Sequence, residues 1–209
     1  MPMKTEPVNK SITDQAMSLF KRVTDRLNLE LPKSGEELER AFHDPLLRNA
    51  FFVAKVPVLA FIGATVAKIN RIECQVDLPF SWRSQNPFHS IYFGAQSAAA
   101  ELSTGALVLR AIADLGLGPE SISMLVVSMD AKFGKKAKSL TSFYCGQGEE
   151  IHDAVLRASR GEDVTLEVET VGRMADGAEV SRFRFVWAVK AKSPEKSTAA
   201  GSGGTTRSQ

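Results

Sequence analysis

The sequence predicts an α+β fold in which a curved antiparallel sheet wraps one central helix, preceded by a helical extension. Three observations carry this reading. Up to about residue 56, apolar residues recur at helical spacing. Beyond it, five segments alternate apolar and polar residues with a period of two. Between the first two of these lies a run of mostly tiny residues, 94–106, whose slimness lets a sheet approach the helix backbone closely.

In Ser11 to Leu29, Ile12, Ala16, Leu19, Val23 and Leu27 share one stripe, which predicts an amphipathic helix. Ser34 and Glu37 form an S-x-x-E capping pattern that opens a second helix. Asp44-Pro45 interrupts it, so residues 34–56 read as two short helices. The mostly apolar run AFFVAKVPVLAFIGATVA, residues 50–67, is close to the roughly 20 residues a membrane span needs. It carries Lys55, which is costly at mid-bilayer, and Pro57, which disfavours helix at Val56. The expectation is therefore a helix ending near Val56, then an apolar entry into the first strand. Peripheral membrane contact is the minor alternative.

In the first strand Ile72, Cys74, Val76 and Leu78 alternate with polar residues. The central helix comes after the Asn86-Pro87 turn and ends by Gly116, Gly118 and Pro119. Leu125, Val127, Met129, Ala131 and Phe133 then share one strand face, and Thr141, Phe143 and Cys145 another. Glu149 to Arg160 form a short helix with Ile151, Ala154, Val155 and Ala158 inward. Val164, Leu166, Val168 and Thr170 begin a hairpin whose turn is Asp176-Gly177, and Phe183, Phe185, Trp187 and Val189 line its return strand. Residues 192–209, almost without large apolar side chains, cannot offset chain entropy and read as a disordered tail. The expected organisation is an extension over 1–61, a folded domain over 62–191 and this tail.

Composition narrows the function classes. The 209 residues are 44% hydrophobic with a formal charge of +2, which suits one domain with a core and suggests no nucleic-acid partner. Cys74 and Cys145 lack metal-site spacing and read as free buried thiols in a reducing cytoplasm.

The most informative stretch is NPFHSIYFGAQSAAAELSTGAL, residues 86–107, in which one carboxylate, Glu101, sits amid tiny residues. This run and the element order resemble the hotdog fold, and within it acyl-CoA thioesterases of the phenylacetyl-CoA and 4-hydroxybenzoyl-CoA type. In those families an Asn precedes a His-Gly-Gly-like turn that opens the central helix, and an Asp or Glu lies about two turns later. Asn86, Phe93-Gly94-Ala95 and Glu101 fall at those places. An uncharacterised hotdog group with an N-P-F … F-G-A … A-E-x-x-x-G pattern is closer still, matched by Asn86, Pro87, Phe88, Phe93, Gly94, Ala95, Ala100, Glu101 and Gly105. The resemblance spans roughly residues 62–191.

It implies binding and hydrolysis of an acyl-CoA or other acyl thioester at a site shared across a homodimer or dimer of dimers. Glu101 would be general base or nucleophile, and Asn86 would orient the water. Phe93, Gly94, Ala95, Phe88 and His89 would contact substrate, with no metal or organic cofactor. Physical chemistry supports part of this independently. Helix N-termini present unpaired N–H groups and partial positive charge, suited to a carbonyl oxygen. Phe93, standing where the enzymes have histidine, cannot donate a hydrogen bond; His89 is a candidate substitute.

Other readings stay open. Glu101 serves equally as a structural acid paired with Arg83 or Arg110, and Asn86 as a turn former. The lysines at 132, 135, 136 and 138 either attract phosphates or are a solvated turn. The rival to the hydrolase is a non-catalytic hotdog module that binds an acyl chain or lipid.

Overall fold

The computed structural model describes residues 32–192. The helix expected at Ser11–Leu29 and the tail expected past Lys192 lie outside them. Helix α1 (Gly35–His43) opens at Ser34, whose Oγ accepts the Glu37 N–H at 3.2 Å. Glu37 in turn accepts the Lys33 N–H, one residue before the cap, a variant of the capping box. Asp44 ends α1 and caps α2 (Pro45–Lys55) by accepting the N–H groups of Leu46 and Leu47.

After Val56 the chain departs from expectation. It does not run straight into a strand. Pro57 starts a third short helix, α3 (Pro57–Ile62), stopped by Gly63 in the left-handed region at φ 74°. The proline that ends one helix fits the first position of the next, where no N–H is needed.

Beyond α3 the chain forms six strands: β1 (Thr65–Ile69), β2 (Cys74–Leu78), β3 (Ile122–Phe133), β4 (Thr141–Cys145), β5 (Val164–Met174) and β6 (Glu179–Ala191). They form one sheet in the order β1-β2-β4-β5-β6-β3, every neighbouring pair antiparallel. Central helix α4 (Phe93–Asp114) lies against it, and α5 (Gly148–Ser159) joins β4 to β5. This is the hotdog architecture.

Two sheet details escaped the pattern. An unexpected strand precedes the first expected one: β1 pairs with β2 through a hairpin in which Asn70 Oδ1 accepts the N–H groups of Ile72 and Glu73. Ile72 is therefore an exposed turn residue. A register shift between Val66 and Lys68 breaks the period of two that would have revealed β1. The second detail lies in β3, whose register with β6 shifts at Val127. Met124 and Val126 oppose Val189 and Trp187 on the inner face, but beyond the bulge Met129 and Ala131 oppose Phe185 and Phe183 there. The expected single face thus divides, and Leu125 points outward opposite Ala188.

The core forms where α4 meets the inner face. Ala95, Ala99, Ala100 and Ala106 bring the helix close to buried Val76, Leu78, Phe143 and Val168. Buried polar side chains of α4 each find a partner. Gln96 Oε1 accepts the Ser181 hydroxyl at 2.9 Å, Ser103 bonds Thr170 at 2.8 Å, and Thr104 accepts the Trp187 indole N–H at 3.1 Å. Within the sheet the helix packs chiefly on β2, β4 and β5, and α1 and α5 pack against it as well. It leaves part of the β3 inner face open, where Met129 and Phe133 remain about half exposed.

Cys74 and Cys145 are directly opposed across β2 and β4, free and fully buried. Burial raises both thiols, Cys145 to about 11, so neither ionises at neutral pH.

Candidate functional site

The segment between β2 and α4 is tied down before it reaches the helix. Ser84 Oγ donates to the Pro79 carbonyl at 2.7 Å, and Ile91 N–H donates to Ala137 O at 2.8 Å. Asn86 folds the turn on itself, its Oδ1 accepting the N–H groups of Phe88 at 2.9 Å and Ser90 at 3.3 Å. His89 then adopts a left-handed conformation, φ 54°, which histidine tolerates better than branched residues. Both Phe88 and His89 project into solvent, and the Lys136 ammonium lies 5.7 Å from the Phe88 ring centre.

Tyr92 precedes α4 without a side-chain cap. The N–H groups of Phe93, Gly94 and Ala95 consequently find no acceptor among the described residues. Gly94 suits this position, since a Cβ would sit 2.8 Å from the Tyr92 ring and push it aside. Phe93 takes part in an aromatic chain, its ring centre 4.6 Å from Tyr92 and 6.4 Å from Phe133. Phe133 continues it to Phe183 in the core. Beside this helix end opens a cleft of about 330 Å³, lined by Asn86, Ser90, Phe93, Gln96, Phe133 and Lys135 among others.

Glu101 does not line that cleft. It sits two turns along the same face as Gly94, about 10 Å down the axis at 1.5 Å per residue. It lies on the one stripe of the helix's N-terminal half that stays partly open, with Phe93, Gly94, Ser97 and Ala98. Its carboxylate rests beside Gly105, where a Cβ would stand 2.9 Å from Glu101 Oε1 and 3.4 Å from the Trp187 ring. Neither Arg83 nor Arg110 pairs with it. Arg110 turns the other way, to Asp114 and to Glu39 of α1. Among the described residues Glu101 is the only polar side chain of α4 with neither a hydrogen bond nor an ion pair. Burial pushes its carboxyl above the usual range.

The structure thus gathers Asn86 and Phe93 at one cleft, sets Gly94 and Ala95 at the helix mouth, leaves Phe88 and His89 on the turn outside, and holds Glu101 apart. Sequence reasoning missed Phe133 and Gln96. Phe133 was concealed because its strand changes face at the bulge, and Gln96 because it falls in an otherwise featureless helical run.

Comparisons place this geometry among known proteins. A family model described as Domain of unknown function (DUF4442) matches residues 46–189. No curated protein matches the chain. A Pseudomonas aeruginosa protein of unknown function, described as a probable thioesterase, superposes with a TM-score of 0.59 at 18% identity, covering 71% of this chain and 97% of its own. A Haemophilus influenzae thioesterase gives 0.50 at 12% identity, covering 66% and 86%. A Chlorobaculum tepidum protein of unknown function gives 0.60 at 12%, covering 76% and 94%. At these identities the likeness is one of fold.

Proposed function

The chain belongs to the DUF4442 family, and on that premise we propose that it binds acyl thioesters of the acyl-CoA kind and hydrolyses them at a site completed by a second copy. The observation that carries this is Glu101: a half-buried carboxylate without a partner, on the open stripe of a helix whose first three N–H groups are also unpaired. A partly buried carboxylate with neither hydrogen bond nor counter-ion among the described residues costs stability, and such costs concentrate at functional sites. The descriptions of the Pseudomonas and Haemophilus neighbours as thioesterases support the same reading.

This placement sets the chemistry. The thioester oxygen sits against the N–H groups of Phe93, Gly94 and Ala95, where negative charge developing during attack is stabilised by fixed donors and the helix dipole. Glu101 takes a proton as water adds its oxygen to the carbonyl carbon. The carbon–sulfur bond then breaks, and the thiolate leaves to be protonated. Because about 10 Å separates Glu101 from those donors within one chain, the base acts on a carbonyl held by the partner copy. The open inner face of β3 beside Glu101 and Phe93 is where that copy docks. Phe93 and Phe133 form an apolar lip for the acyl chain.

The test is a panel of acyl-CoA thioesters assayed for thiol release. Hydrolysis should fall at least about a hundredfold in Glu101→Gln, the scale of lost general-base help. Light scattering should show a dimer at micromolar concentration. A second reading, an acyl-binding module without catalysis, has its own support. Phe93 replaces a proton donor, and the Asn86 side chain is occupied by its own turn. An inert panel with acyl chains still bound would decide for that module.

A further inference from the structure

We propose that helices α2 and α3, with Trp82, form a surface that docks onto an anionic lipid bilayer. Leu46, Ala50 and Val53 fall at i, i+4 and i+7 and share one face of α2. Leu46 is 78% exposed, and Val53, Val58 and Phe61 are each about half exposed. Trp82 is 74% exposed, and its ring meets Phe61 edge-on at 6.0 Å, which joins the strip to the loop leading to the cleft. Large apolar groups exposed side by side over two helices mark a contact surface rather than scattered surface residues.

Charge decides what kind of surface it contacts. Residues 45–72 and 78–100 contain no Asp or Glu. Lys55 is exposed where α2 meets α3, Arg83 is exposed next to Trp82, and neither forms an ion pair among the described residues. Arg83 reaches the C-terminal end of α3, with a guanidinium nitrogen 2.8 Å from where a Gly63 Cβ would stand. An apolar strip with an interfacial tryptophan and free cations, whose adjoining carboxylate Asp44 is engaged in capping α2, complements a bilayer bearing acidic headgroups. Among the described residues no helix is long and apolar enough to cross one, so the strip lies on the bilayer. A second copy is the poorer match, because the open flank of β3 and α4 already offers it a different face. The surface is independent of whether the site hydrolyses anything.

Of the two tryptophans, Trp82 is exposed and Trp187 is buried, so emission changes on docking report Trp82. Full-length protein is titrated with phosphatidylcholine vesicles with and without about a third phosphatidylglycerol. The expected result is a blue shift, with quenching by brominated acyl chains, on anionic vesicles only. Phe61→Asp and the double charge reversal Lys55→Glu/Arg83→Glu should each weaken binding on the order of tenfold or more. The charge reversals alter only exposed side chains, which keeps the test valid if Phe61→Asp folds poorly. Unchanged emission with anionic vesicles would overturn the proposal. So would Phe61→Asp converting a larger assembly to a smaller one with vesicle binding intact, since the strip would then join copies of the chain.

Discussion

Arg110 and Glu101 sit on the same helix, and both are largely withdrawn from water, yet their surroundings are opposite. Arg110, toward the C-terminal end, faces two carboxylates, Asp114 at 3.5 Å and Glu39 of α1 at 3.8 Å. Glu101, toward the N-terminal end, faces alanines, a glycine and an indole, with no counter-charge among the described residues. A buried charge with its opposite sign nearby holds two elements together. A buried charge without one is a cost that folding alone does not explain. The helix is thus a clasp at one end and a candidate reaction centre at the other.

That contrast can be broken by substitution. The largest effect is expected from Arg110→Ala, which removes a buried side chain from the α1–α4 contact and leaves Asp114 and Glu39 without their counter-charge; it should cost about 3 kcal/mol in denaturant unfolding, with turnover per folded molecule little changed. Glu101→Gln should show the opposite signature, a hundredfold loss of turnover, equivalent to about 2.7 kcal/mol of barrier, with no loss of stability. If instead Glu101→Gln unfolds the protein and Arg110→Ala abolishes turnover, the assignment of the two ends is reversed. A smaller effect, about 1–2 kcal/mol, is expected for Thr104→Val, which leaves the buried Trp187 N–H without an acceptor.

The smallest effect concerns pH. Burial raises the Glu101 carboxyl above its unfolded value, so the native state binds more protons than the unfolded state between the two values. Stability from this group therefore falls as pH rises through that window. Relative to wild type, Glu101→Gln should be the more stable protein above the raised value and lose that advantage at pH well below the ordinary carboxylate range. Thermal unfolding at several pH values measures the difference. Turnover, which needs the carboxylate, should decline with acidification at a pH higher than an ordinary glutamate would give.

Much of this was legible in the chain itself, for identifiable reasons. The β5–β6 hairpin announces itself because Asp176-Gly177 suits the turn and Phe183, Phe185 and Trp187 keep strict alternation into the core. Glu101 stands out because it is an acid among alanines. What the chain concealed were departures from uniform period. The bulge at Val127 exchanges the faces of β3, the irregularity after Val66 hides β1, and Pro57 both ends and begins a helix. The two sheet irregularities leave no compositional mark, and Pro57 marks the break but not the helix that follows it. The partner of Arg110 was hidden differently: Glu39 lies far away in sequence, and only packing brings α1 against α4.

The facing thiols of Cys74 and Cys145 have a practical consequence. They pair at the ends of the second and third strands of the sheet, have no access to solvent and stay protonated. A thiol reagent can reach them only when β2 and β4 separate. The rate of labelling in native buffer is therefore a clock for the parting of these two strands, and it needs no engineered cysteine.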